Sequence, residues 1–332
     1  MLLRSIALLA LVGLAGAAGL AWLAVTPTPA VQAGPLIVEI PAHEGALGIA
    51  TRLAQADVVP SRVAFLALTA AQGSIRQLKA GEYEVPRDAT TLDIVDLLTS
   101  GRVRQHAVLH PEGATISELA RVLEQQRLGR AEDIMRAASD EALRRKLDIS
   151  GPSLEGYLFP DTYQLVRGLS PEEILGRMVQ RLRSRLTPDL MARARERDLD
   201  VHQLLTLASI IEREAVDPEE RRLISAVFWN RLRRGMPLQA DPTVQYAVAK
   251  ERRALTRADL ATDHPYNTYT RRGLPPGPIA SPGLAAIEAA VDPAPVNYLY
   301  FVARDDRRHT FSRTMEEHNR AVLRYRLMRR AL

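Results

Sequence analysis

Between Leu204 and Ala215 the sequence reads Leu-Leu-Thr-Leu-Ala-Ser-Ile-Ile-Glu-Arg-Glu-Ala, a pattern that fits little except a helix inside a core. On a 3.6-residue wheel it is apolar around most of its circumference, and its polar side is narrow: His202, Thr206, Ser209 and Arg213. Yet it ends in two carboxylates. Glu212 falls between Val201 and Leu205, and Glu214 between Leu207 and Ile210 with Gln203 alongside, so both lie within or beside the apolar arc. Desolvation disfavours the charged form of a carboxyl group in such a place. An acid still protonated near neutral pH is what general acid catalysis requires. The plainer alternative is an arginine ion pair for one Glu and solvation at the helix end for the other. The wheel does not choose between Glu212 and Glu214.

The 332 residues allow two domains, and 46% hydrophobic content supports real cores rather than a disordered chain. Cysteine is absent, which removes thiol catalysis, thiolate metal sites and disulfides. The formal charge of +5 comes from arginine spread along the chain, with lysine only at Lys79, Lys146 and Lys250. That distribution reads as a solvated surface, and no nucleic-acid motif accompanies it; an anionic polymer or a membrane surface remains compatible.

The N-terminus is an uncharged run from Ser5 to Val38 with an apolar core from Ile6 to Val25. That core has the length of a bilayer-spanning helix, about 20 residues. A cleavable signal peptide has a core of about 7–15 residues, so a single-pass anchor is expected over cleavage near Val31-Gln32-Ala33. Arg4 on the short side predicts a cytoplasmic N-terminus and a body outside the membrane, and Thr26-Pro27-Thr28-Pro29 stiffens the exit.

The expected class is α+β, in three parts. Residues 1–34 form the cytoplasmic stub, anchor and Pro-rich linker. Residues 35–104 form a small β-α-α-β-α module: strands at 36–40 and 81–85, helices at 46–56, 60–71 and 92–98. Residues 105–332 form a larger mixed α/β domain. It contains a strand at 104–109, helices at 115–125 and 130–146, and a helix pair broken near Thr187-Pro188. The acidic helix follows, then helices at 218–234 and 315–332. Glu155 to Tyr163 and Leu238 to Val244 read as loops or turns. Tyr298 to Val302 reads as a strand with a hairpin partner at His309-Thr310-Phe311 across Asp305-Asp306.

Several chemistries are weak. The seven histidines show no metal-ligand spacing, no Gly-x-Ser-x-Gly elbow is present, and the three lysines lie in polar sequence unsuited to a Schiff base. No metal or cofactor is expected. Gln, Asp, Asn, Thr and Tyr recur in Pro/Gly-shaped loops, as a carbohydrate site requires, although turns favour several of these residues for their own reasons.

Leu207 to Glu214, Phe228-Trp229-Asn230-Arg231-Leu232, Leu238 to Val244, Tyr266-Asn267-Thr268-Tyr269, Gly273 to Ile279 and Tyr298 to Val302, several long motifs in fixed order, resemble the YceG-like family, and Glu155 to Tyr163 also matches. Characterised members of that family are endolytic murein transglycosylases. The resemblance implies cleavage of the β-1,4 bond between N-acetylmuramic acid and N-acetylglucosamine in nascent peptidoglycan, leaving a 1,6-anhydro end. It implies an inner-membrane protein with a periplasmic body, peptidoglycan synthases as partners, and a LysM-like first module that holds glycan. By motif alignment the family's catalytic glutamate falls on Glu214, with Glu212 a neighbour that tunes it or merely forms an ion pair. Glu155, Asp161, Gln239, Asp241, Tyr266, Asn267 and Tyr269 are the expected saccharide contacts. An aminodeoxychorismate lyase label, also attached to the family, is opposed by the lysine poverty and the anchor. Two alternatives stay open. One is a hydrolytic muramidase using Asp241 or Asp161 to activate water; the other is a non-catalytic, membrane-tethered glycan-binding protein.

Overall fold

A computed structural model describes residues 2–27, 35–250, 253–304 and 308–330. The Thr28-Pro29 half of the linker, the Val31-Gln32-Ala33 alternative and the Asp305-Asp306 turn lie outside the described residues, as does the side chain of Arg4. The apolar N-terminal run folds as one helix, α1 (Leu2–Val25). Its described side chains begin at Leu11, and Leu11, Val12, Leu14 and Trp22 are exposed. Among the described residues no helix is long and apolar enough to cross a membrane. The span expected over Ile6 to Val25 reaches beyond those side chains.

The chain divides into two units, Met1–Ala107 with Gln164–Leu169 and Val108–Tyr163 with Ser170–Leu332. In the first, α1 is followed by β1 (Leu36–Ile40), α2 (Ala46–Gln55), α3 (Arg62–Ala71), β2 (Gly81–Val85) and α4 (Thr91–Ser100). β1 and β2 pair antiparallel with Val38 opposite Tyr83. Alternate strand residues turn inward onto Leu53, Phe65, Ile94 and Leu98 to make one core. α4 is bounded by local chemistry: Thr90 and Asp93 form a capping box, and Gly101 stops the helix in the left-handed region at φ 72°. Glu82 is almost completely buried. His106 at 2.5 Å, Arg167 at 3.0 Å and Arg104 at 3.7 Å compensate its charge, which draws Gln164–Leu169 into this unit.

β3 (His106–His110) leads into the second unit, through α5 (Ile116–Gln125), α6 (Ala131–Ser139) and α7 (Glu141–Lys146). β4 (Asp161–Leu165) then pairs with β3. α8 (Pro171–Arg185), α9 (Pro188–Arg195), α10 (Val201–Glu214), α11 (Arg221–Arg233), α12 (Asp241–Ala247), α13 (Arg257–Leu260) and α14 (Leu284–Val291) follow. The antiparallel hairpin β5 (Tyr300–Ala303) and β6 (His309–Ser312) sets Phe301 opposite Phe311, and α15 (Met315–Arg330) ends the chain.

α10 organises this unit. Asp200 and Gln203 close a capping box at its start, and residues 204–211 are buried on every side. Its heaviest packing is against α14, whose Ala286, Ala289 and Ala290 are buried and small enough to let the two backbones approach closely. Thr206 and Ser209, on the narrow polar side of the helix, are themselves buried. Thr206 Oγ1 donates to His202 O, while Ser209 Oγ donates to Thr206 O and accepts from Ile279 N at 3.1 Å. A correction concerns Leu238 to Val244: only its first part is a loop, because Asp241 and Pro242 begin α12. Likewise the expected turn at Glu155 to Tyr163 passes into strand β4 at Asp161.

Candidate active site

α10 ends at Glu214, where its last turn meets open space. Glu112 and Gly113 after β3, Glu212 to Glu214 and Val216, Asp241, Pro242 and Gln245 of α12, and His309 of β6 line a cavity of about 430 Å³. Everything in it belongs to the second unit. Glu214 is half-buried at its wall. Burial, and then the charge of Asp241, push its carboxyl up to about 8, while Arg231 and Arg213 pull the other way. Glu214 is therefore mostly a neutral acid at pH 7, still reachable from the cavity.

Asp241 is held by Tyr269, whose hydroxyl donates to Oδ1 at 2.5 Å. Burial first, and Asp241 second, drive the Tyr269 phenol above its usual value, so it stays a proton donor. The backbone next to Asp241 is fixed with equal care. Gln239 sits in the left-handed region at φ 50°, a strained position for a residue with a Cβ. Its N donates to Thr268 O at 3.1 Å, and its Oε1 accepts from Arg231 Nη1 at 3.3 Å. Buried Arg231 also donates to Leu299 O and Leu238 O, both at 2.7 Å, and lies over the Tyr300 ring. One guanidinium thus ties α11, the loop before α12 and the approach to β5 together.

Glu212 takes the ion-pair alternative. Its Oε2 accepts from Gly283 N at 3.0 Å and its Oε1 from Arg221 Nη2 at 3.3 Å, with little of the side chain exposed. Glu112 shares Arg221 at 3.6 Å; burial and then Glu212 raise its pKa.

The remaining expected contacts do not line the cavity. Both Glu155 oxygens accept from Ile116 N at the start of α5. Asp161 accepts from Thr162 N and pairs with Arg181 at 2.6 Å; these bonds, Thr162's first, hold its carboxyl below its ordinary value. Asn267 is fully buried, donating to Leu260 O and Thr262 O and accepting from Tyr269 N, so its amide shapes a loop. The Tyr266 ring packs on Tyr246 and His264. Glu112, Gln245, Arg231 and His309 are site residues that the sequence reading did not single out as such. Arg231 was visible only inside a recognised motif, and Glu112 only as a charge after a strand.

The sequence model of the YceG-like family matches residues 38–324. The chain belongs to the YceG-like family. An endolytic murein transglycosylase of Bacillus subtilis (strain 168) is 34% identical over 304 residues, covering 87% of this chain and 84% of its own length. One from Streptococcus pneumoniae serotype 2 (strain D39) is 31% identical over 317 residues, 86% of this chain; the chain spans 57% of that relative. A crystal structure of a YceG-like protein from Listeria monocytogenes aligns with a TM-score of 0.61 at 33% identity, over 87% of this chain and 99% of that one.

Proposed function

We propose that the protein is an endolytic peptidoglycan lytic transglycosylase. The observation that carries this reading is Glu214: a carboxyl kept protonated at neutral pH, at the end of a buried helix, opening on a cavity. It protonates the oxygen that leaves C1 of the muramic residue. The C6 hydroxyl of the same sugar then attacks C1 and gives its proton to the same carboxyl, now ionised, which closes the 1,6-anhydro ring and restores the acid. Because the nucleophile is already part of the substrate, proximity replaces an activated water. The names of the relatives agree with this chemistry. Such an enzyme ends or trims nascent strands.

The test is the mass of the product. The full chain in detergent, incubated with uncrosslinked glycan strands, is expected to release fragments with anhydro ends. Fragments heavier by one water would instead establish a muramidase, for which Asp241 is the cavity carboxylate available to activate water. Asp161, bound to Arg181 away from the cavity, is not placed for that task. Absence of cleavage by folded protein would leave a glycan-binding role.

The same reading extends to location. Arg4, the apolar run on α1 and its exposed Leu11, Leu14 and Trp22 support a single-pass anchor in the inner membrane with the body in the periplasm. There the enzyme meets strands as synthases extrude them, and the first unit, in a LysM-like role, holds glycan. Removing residues 1–34 is expected to move the protein from the membrane fraction to the soluble fraction; retention in the membrane would overturn the anchor.

A further inference from the structure

Helix α15 takes no part in the chemistry of the cavity. The sequence from His318 to Leu332 holds five arginines and no acidic residue. One side of α15 packs onto the hairpin of β5 and β6: Ala321 is buried, and the His318 ring stacks on Tyr300 at 5.3 Å. On the other side Arg320, Leu323, Arg324 and Leu327 fall at i, i+3, i+4 and i+7, and all four are exposed. Leu323 is 59% and Leu327 57% exposed, and exposed Arg326 borders them. Among the described residues Arg320, Arg324 and Arg326 are in no ion pair. The acids of the first turn stay at its start, where Glu317 turns back to accept from Arg313 N at 2.8 Å.

We propose that this outer face of α15 docks on an anionic lipid bilayer, with the arginines on lipid phosphates and Leu323 and Leu327 at the boundary with the acyl chains. A basic helix with an apolar stripe lies in that boundary, parallel to the surface. Each cation gains from the anionic headgroups, and the long arginine stems let the charges stay among phosphates while the leucines go deeper. Charge alone would suit any polyanion. The leucine pair set among the arginines selects lipid, because a phosphate backbone offers nothing apolar to cover it. α15 belongs to the unit that carries the cavity. Docked in this way, it keeps that unit at the bilayer surface through a contact separate from α1.

The chain contains no cysteine, so Leu327→Cys supplies a single thiol for an environment-sensitive fluorophore. The labelled full chain is reconstituted with vesicles of phosphatidylcholine alone, or of phosphatidylcholine with an equal part of phosphatidylglycerol, and its emission is compared with that in detergent. With phosphatidylglycerol the emission is expected to shift to the blue and to be quenched by a lipid-borne nitroxide. With phosphatidylcholine alone it should stay as in detergent. Added salt should weaken the docked signal, since screening shortens the reach of the arginines. Arg324→Glu combined with Arg326→Glu is expected to remove shift and quenching together while glycan cleavage in detergent is unchanged. The lipid and salt dependence of the labelled chain tests the docking even where the double variant fails to fold. Absence of a blue shift with phosphatidylglycerol overturns the proposal, and flotation of the same samples then tells whether the α1 anchor stands. A shift equal in both lipids, or one kept by the folded double variant, overturns it as well. So does a shift already present in detergent that grows with protein concentration, which would mean that a second copy covers the face.

Discussion

Glu214→Gln is expected to lose glycan cleavage by roughly three orders of magnitude and to melt at a higher temperature than wild type. The first effect is the loss of a general acid, worth about 10²–10⁴ in rate. The second follows from where the carboxyl titrates. Its ordinary value is 4.5, and in the fold it stands near 8. Between those values the unfolded chain has released a proton that the folded chain keeps, so stability falls as pH rises through this window. Below the window the group is neutral in both states and the penalty is absent; above it the penalty is complete. A glutamine avoids it altogether. After discounting for the part of Glu214 that reaches the cavity, the gain is on the order of 1–2 kcal/mol at pH 7. It should vanish in melts at pH 4. Activity carries the complementary signature: cleavage by wild type declines above pH 8. In Asp241→Asn the neighbouring charge is gone, Glu214 ionises more easily, and the decline begins at lower pH. A Glu214→Gln protein that cleaves normally, or melts lower at neutral pH, would contradict this account of the site.

The other large effect is structural, and it lies where two recognised motifs meet. Gly156 has φ 79°, and a Cβ there would lie 2.2 Å from Pro278 Cβ and 3.3 Å from Ala280 O. The Pro-rich loop cannot yield cheaply, because it is stitched down on several sides. His202 Nε2 meets Pro276 O, Ser209 holds Ile279 N, Ser281 exchanges backbone bonds with Gly113 and Ala114, and Gly283 N reaches Glu212. Gly156→Ala is expected to cost about 3 kcal/mol, combining the left-handed penalty with overpacking. The corresponding fall in Tm is roughly 6–12 °C for a body of this size. Gly235→Ala isolates the backbone part, since φ is 62° there but no atom lies within 4 Å. It should lose about 1–2 kcal/mol. Equal losses in the two variants would mean that the contact with Pro278 carries no weight. Cleavage should suffer more in Gly156→Ala, because the displaced loop also positions Gly113 and Glu212 at the cavity.

Much of this molecule was legible where one local rule acts alone. The capping boxes at Thr90 and Asp200, the stop at Gly101 and the inward alternation of β1 and β2 follow from neighbours in sequence. So did the burial of the α10 apolar arc. What sequence could not show is where long-range bonds go. Ser209 and Thr206 look like a solvent stripe until Ile279, seventy residues on, is seen to need a hydrogen-bond acceptor. Asn267 looks like a sugar ligand until Leu260 O and Thr262 O claim its amide. The choice between Glu212 and Glu214 has the same origin. The wheel treats them alike, whereas Gly283 N and Arg221 engage one, and burial, with the charge of Asp241 second, raises the other. His309 escapes notice for that reason too, since the group that holds it at the cavity, Glu220, lies 89 positions earlier.

The excursion of Gln164–Leu169 into the first unit bears on how such a protein could be recombined. The chain changes unit three times, after residues 107, 163 and 169, so a single crossover near residue 104 does not exchange one unit for another. It would separate Glu82 from His106 and Arg167 and leave a nearly buried carboxylate with little but Arg104. Stripping partners from a buried charge costs several kcal/mol. A viable hybrid therefore needs matched breakpoints at all three changes of unit, or a compensating change at position 82 itself. Descent should favour inheritance of the two units as one piece, even where their surfaces diverge freely.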